Sequence, residues 1–142
     1  MKIKDIYQNK KAVFSFEIFP PNENFSSEKL YGVIDELSIQ KPDFISVTYG
    51  AGGTTKGGTI EMASYIKNKL NIEAVTHLTC VGSRKDEIEN FLNELERNNI
   101  ENILALRGDI PKDQDESIYD RGDFLYASDL IKAVRATKRF SV

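Results

Sequence analysis

The sequence predicts an α/β domain of parallel strands covered by helices, from three observations. Short apolar runs alternate with stretches whose apolar residues fall at helical spacing. The apolar runs recur about every 30 residues, the length of a strand plus a crossover helix. Four such units follow one another before the 142-residue chain stops. Parallel strands joined this way are buried under their helices, and two architectures fit: a doubly wound sheet or a (β/α)8 barrel. A closed barrel takes about 250 residues, so four units make half of one.

The first strand is expected at 13–19, followed by a helix at 27–38 with Leu30, Val33, Ile34 and Leu37 on one side. The second strand is expected at 44–48 and its helix at about 59–70, where Ile60, Ala63, Ile66 and Leu70 align. The third strand reads as 73–79. Its helix begins after Ser83, read as the N-cap, and carries Ile88, Phe91, Leu92 and Leu95. The fourth strand reads as 102–106, and the fourth helix starts near Tyr126 with Ala127, Leu130, Ile131 and Val134. Phe140-Ser141-Val142 reads as the start of a fifth strand. Residues 109–123 are long, acidic and polar, either a solvated connector or a lid over a site.

Composition narrows the partners. With 40% hydrophobic and 29% charged residues and a net charge of −3, the chain suits one globular domain and no nucleic-acid or anionic-membrane surface. No 18-residue apolar run suggests a membrane span. The one cysteine, Cys80, cannot form an internal disulfide, and no metal-ligand spacing is present, so a reducing cytoplasm is the expected setting.

Polar residues fall at the carboxyl end of every predicted strand, where ligands bind in parallel α/β folds. Glu17, Thr48, His77 and Arg107 recur about once per βα unit. Side chains alternate along a strand, so Ser15 shares a face with Glu17, Ser46 with Thr48, Val75 with His77, and Ala105 with Arg107. A carboxylate, a hydroxyl, an imidazole and a guanidinium are thus expected in one cleft. Each has a plainer alternative. Glu17 and Arg107 would satisfy each other as a structural ion pair, whereas a buried Glu17 with a raised pKa would suit general-acid work. The single histidine would serve as a hydrogen-bonded core residue, Tyr49 and Tyr126 as packing aromatics, and Cys80 as an inert buried thiol. Gly50-Ala51-Gly52-Gly53 permits close approach to a ligand but is neither a Walker nor a Rossmann pattern. Arg107-Gly108-Asp109 also spells an adhesion tripeptide, which the expected cytoplasmic setting argues against.

Taken together, Phe16-Glu17-Ile18-Phe19-Pro20-Pro21, Val47-Thr48-Tyr49-Gly50-Ala51-Gly52-Gly53, His77-Leu78-Thr79-Cys80 and Ala105-Leu106-Arg107-Gly108-Asp109-Ile110-Pro111 resemble four signatures of the methylenetetrahydrofolate reductase family. Tyr126-Ala127-Ser128-Asp129-Leu130 resembles a fifth. The resemblance implies a (β/α)8 TIM barrel, of which residues 1–142 form only the first four βα units, a half barrel ending near the start of strand five. It implies non-covalently bound FAD and reduction of 5,10-methylenetetrahydrofolate to 5-methyltetrahydrofolate. Electrons would come from NADH or NADPH, or by way of a partner electron-transfer subunit, in a homo-oligomer.

By matching position, the resemblance makes Glu17 the general acid that helps open the folate's five-membered ring. It makes Asp109 a catalytic carboxylate near the flavin and the pterin, suited to stabilising a cationic folate intermediate. Tyr49, Ala51, His77, Arg107, Gly108, Tyr126 and Ala127 match FAD contacts, and Thr48 a position close to flavin and nicotinamide. The second half of such a barrel supplies further contacts, so this half alone is expected to be inactive. A different class of function is a non-catalytic half barrel whose open edges pair with a second copy. Another flavin or pterin barrel enzyme fits the combined Glu17, His77 and Arg107-Gly108-Asp109 pattern less well.

Overall fold

The structure is a computed structural model that describes residues 1–20, 26–49, 56–110, 115, 117 and 121–142. Four strands, β1 (Ser15–Ile18), β2 (Phe44–Val47), β3 (Glu73–Thr79) and β4 (Asn102–Leu106), form one sheet in the order β1-β2-β3-β4. Every pairing is parallel. Helices α2 (Ser27–Ser38), α3 (Lys56–Ser64), α4 (Lys85–Arg97) and α5 (Ala127–Ala136) follow the strands in turn. A doubly wound sheet reverses its strand order and carries helices on both faces, whereas sequential order with right-handed crossovers keeps all helices on one face. The topology is that of a half barrel. The fifth strand expected at the chain's end begins as a parallel bridge between Ser141 and Asn102, with the Ile103 N–H donating to the Ser141 carbonyl at 2.9 Å.

Register sorts the side chains into two layers. Ile18 pairs with Val47, Val47 with Thr76, and Thr76 with Ile103, all buried and turned to the helices. Ile45, Ala74 and Leu78 join that layer, where Leu30, Ile34, Met62, Ile66, Leu92, Leu95, Leu130 and Val134 complete one core. The opposite face carries Ser15, Glu17, Phe44, Ser46, Val75, His77, Leu104 and Leu106. Leu104 and Leu106 remain 45% and 38% exposed there, as befits the inner wall of an unclosed barrel.

The helices stop by a repeated device. After each of α2, α3, α4 and α5 one residue takes the left-handed conformation: Lys41 (φ 53°), Asn71 (φ 56°), Asn99 (φ 60°) and Lys138 (φ 58°). Asparagine tolerates this region better than lysine does. The second helix begins at Lys56, earlier than the periodicity predicts, and continues past Ser64 as a π-turn over Tyr65–Lys69, where Leu70 N–H donates to the Tyr65 carbonyl at 3.2 Å. Ser83 is not the N-cap of α4. Its carbonyl accepts from Asp123 N–H at 2.9 Å, while the Asp123 carboxylate accepts from Lys85 N–H at 2.8 Å and Glu87 from Arg84 N–H at 2.9 Å. A residue 38 positions downstream thus helps close the helix start, which local sequence does not reveal.

The sequence shows no sign of α1 (Ile3–Asn9), in which only Ile6 is buried. Its anchor is Asn102, which is 1% exposed. The Asn102 amide oxygen accepts from Ile3 N–H at 2.9 Å, and its nitrogen donates to the carbonyls of Met1 at 3.0 Å and Ala74 at 3.4 Å. Asn102→Ala strands these buried partners and is expected to cost roughly 2 kcal/mol. Urea unfolding and amide exchange at Ile3 check this; an unchanged midpoint with Ile3 still protected would remove Asn102 as the anchor.

Candidate functional site

The open face of the sheet bounds a cleft of about 560 Å³ lined by Ser15, Glu17, Ser46, Val75, Asn102 and Leu104. Glu17 and Ser46 are direct register partners, Ser46 pairs with Val75, and His77 lies two residues further along the same face of β3. Three neighbouring strands therefore bring a carboxylate, a hydroxyl and an imidazole together. Ser46 Oγ donates to Glu17 Oε2 at 3.4 Å or to the Phe16 carbonyl at 3.5 Å. His77 Nε2 lies 3.3 Å from the same Glu17 oxygen. That distance fits an ion pair, but the buried nitrogen is not aligned for a hydrogen bond and has no such partner among the described residues.

The two ends of this contact differ in burial. The Glu17 side chain is 52% exposed and that of His77 only 8%. The described residues therefore do not bury Glu17 as the sequence reading expects. Burial pushes the His77 imidazole below the ordinary histidine range, with the Glu17 carboxylate pulling partly the other way.

Arg107 departs from the shared-face expectation. His77 pairs with Leu104, and Leu78 with Ala105, so the residues of β4 in phase with Glu17 and His77 are Leu104 and Leu106. Arg107 lies just beyond the strand, where the ladder closes irregularly. Its carbonyl accepts from Cys80 N–H at 3.2 Å and from Val81 N–H at 2.8 Å. Its guanidinium is exposed and sits 5.7 Å from the centre of the Tyr126 ring, a cation–π contact between the end of β4 and the start of α5, while most of the connector-or-lid segment expected at 109–123 lies outside the described residues. Gly108 turns the chain with φ +86°, and the exposed Asp109 follows. Ala127 opens α5 next to Tyr126.

The remaining candidates divide. Thr48 is half-buried; its N–H donates to Ile18 and its carbonyl accepts from Thr59, both at 3.0 Å. Tyr49 packs edge-on against Phe91 of α4 at 5.4 Å, so its ring serves the core, and burial, followed by the Glu87 carboxylate, pushes its phenol up to about 12. Ala51 lies outside the described residues. Cys80 is buried and burial pushes its thiol up, which suits an inert side chain. Ser46 is the neighbour of Glu17 that motif reading passes over; its alternation with Thr48 was the available signal.

The sequence profile of methylenetetrahydrofolate reductases matches residues 2–142. The chain is 38% identical over 135 residues to methylenetetrahydrofolate reductase (NADH) 1 of Arabidopsis thaliana, covering 95% of this chain and 23% of that protein. It is 36% identical over 128 residues to 5,10-methylenetetrahydrofolate reductase of Escherichia coli (strain K12), covering 90% of this chain and 41% of that protein. With methylenetetrahydrofolate reductase 1 of Schizosaccharomyces pombe it shares 36% over 126 residues, 88% of this chain and 21% of that protein. The chain thus spans between 21% and 41% of the lengths of these three relatives.

Proposed function

Because this chain belongs to the methylenetetrahydrofolate reductase family, we propose that it is the N-terminal half of a TIM-barrel catalytic domain that reduces 5,10-methylenetetrahydrofolate to 5-methyltetrahydrofolate with NADH or NADPH. The observation that carries this reading is the meeting of Glu17 and His77 at 3.3 Å on the open inner face of a sequentially ordered parallel sheet. A cytoplasmic setting agrees with it, and no helix among the described residues is long and apolar enough to cross a membrane.

The residues present suit FAD. The buried His77 Nε2 has no hydrogen-bond partner among the described residues, so it has capacity for a polar ligand group. The exposed Arg107 guanidinium, steadied on Tyr126, suits a phosphate or a ring carbonyl. At Gly108 the backbone packs against Thr79 and Val81 so closely that a Cβ has no room, which fixes the turn between Arg107 and Asp109. His77, Arg107, Gly108, Tyr126 and Ala127 would hold the cofactor, with Thr48 and Tyr49 on the adjoining strand end; Ala51, matched by sequence alone, would join them. FAD, when bound, supplies hydride passage from nicotinamide to folate. Glu17, which lines the cleft, holds the proton that ring opening needs. Asp109, exposed beyond β4, brings negative charge toward a cationic folate intermediate.

The complete protein tests this. Purified in the dark and freed of loose ligand, it is expected to keep a flavin visible spectrum that NADH or NADPH bleaches and methylenetetrahydrofolate restores. A colourless protein that takes up no added FAD would sink the reading. A self-pairing half barrel has less support, because it needs the outer edge of β4, whose first residue, Asn102, already bridges to Ser141.

A further inference from the structure

We propose that Ser46 is a positioning residue that holds one oxygen of the Glu17 carboxyl, Oε2, beside His77 and leaves Oε1 as the oxygen that exchanges a proton with substrate. The inference rests on the general-acid role of Glu17 proposed above.

The hydroxyl beside Oε2 can give or take a hydrogen bond. The Ser46 hydroxyl has one hydrogen and two acceptors at nearly equal reach, Glu17 Oε2 at 3.4 Å and the Phe16 carbonyl at 3.5 Å. It can donate to the ionised carboxylate, then turn toward Phe16 and accept when the carboxyl is protonated. His77 Nε2 lies 3.3 Å from the same oxygen, close enough to sense its charge though not aligned for a hydrogen bond. An acid that alternates between two protonation states needs a neighbour that serves both, whereas a lysine or arginine would favour only the ionised form. Oε1 meets none of the polar side chains among the described residues, and Glu17 lines the open cleft.

The sheet dictates this placement. Glu17 and Ser46 are Cα partners in the β1–β2 ladder, so their side chains emerge together on one face. Ser46 is buried at 8% exposure in the midst of an otherwise apolar strand, Phe44–Val47. An alanine would fill that space without leaving a polar group to satisfy. The hydroxyl is therefore better accounted for by what it touches.

The chain's single histidine makes the arrangement measurable without flavin or folate. His77 is faced by Glu17 from β1 and by Ser46 of β2, with Thr48 just beyond that strand; β4 offers Leu104, Lys4 of α1 lines the cleft that Glu17 lines, and Arg107 follows β4. Imidazole NMR titration of the 142-residue protein reads the Glu17 charge through His77. Glu17→Gln should lower the His77 midpoint, because the carboxylate is what raises it. Ser46→Ala should shift it in the same direction as the released carboxyl swings into solvent, and Ser46→Thr should return it to the parent value. Ser46→Cys, nearly isosteric but a poor donor, should behave like alanine and stands in if alanine disturbs the fold. A Ser46→Ala or Ser46→Cys midpoint equal to the parent's, with Glu17→Gln shifted, overturns the proposal; so does an unshifted Glu17→Gln. The general-acid reading fails separately, on folate turnover.

Discussion

Glu17→Gln in the complete protein is expected to lower folate reduction by roughly a thousandfold, the scale on which a positioned general acid acts. Glutamine keeps the size of the side chain and can still meet Ser46, but it has no proton to transfer. The nicotinamide half-reaction needs no acid at this position, so flavin reduction by NADH or NADPH should keep its rate. Stopped-flow absorbance of the two half-reactions separates these effects. Parent-like folate turnover would remove Glu17 from the chemistry. An equal loss in both half-reactions would make it a cofactor-binding residue instead.

Gly108→Ala is expected to destabilise the fold by roughly 3 kcal/mol, the range for strain at a positive-φ position combined with steric overlap. Gly108 has φ +86°, and a Cβ there would lie 2.9 Å from both Thr79 Cβ and Val81 Cγ1. Neither neighbour yields easily. Both are β-branched, and Val81 is tied to the Arg107 carbonyl at 2.8 Å. Thermal unfolding should show a melting temperature lower by about 10 °C. The strand end carrying Arg107 and Asp109 would move with the strain, so any flavin the complete protein retains should weaken too. A melting temperature within a degree of the parent's would show that the turn relaxes without cost.

Much of this architecture is legible in the sequence because its signals are periodic. The third strand and the fourth coincide with β3 (Glu73–Thr79) and β4 (Asn102–Leu106), whose apolar runs are long and bounded by turns. The first strand, expected at 13–19, pairs only over Ser15–Ile18, because a strand's ends depend on its neighbour's reach as well as on its own composition. Helix α1 is hidden because one buried isoleucine gives no period, and its hold comes from Asn102, about a hundred residues away. At the site, alternation places Glu17, Ser46 and His77 together. It does not place Arg107, since register is a property of two strands and cannot be counted along one. Nor does a polar residue in an apolar strand reveal its burial: Glu17 is half-exposed on the open face of the sheet.

The clasp between Asn102 and α1 also bears on the order in which the chain assembles. Neighbouring strands here are neighbours in sequence, so each βα unit can dock onto the previous one as soon as it is made, a topology that favours quick, stepwise growth. Helix α1 is the exception. It leaves the ribosome before all four strands, yet its partner on β4 is 99 residues behind it. At a synthesis rate of roughly 5–20 residues per second, α1 waits several seconds for Asn102, with only the flanking pairs Met1–Glu73 and Lys10–Asp43 available sooner. Its docking marks the moment at which the fourth strand has joined, so protection of Ile3 in a nascent chain would serve as a clock for completion of the half barrel.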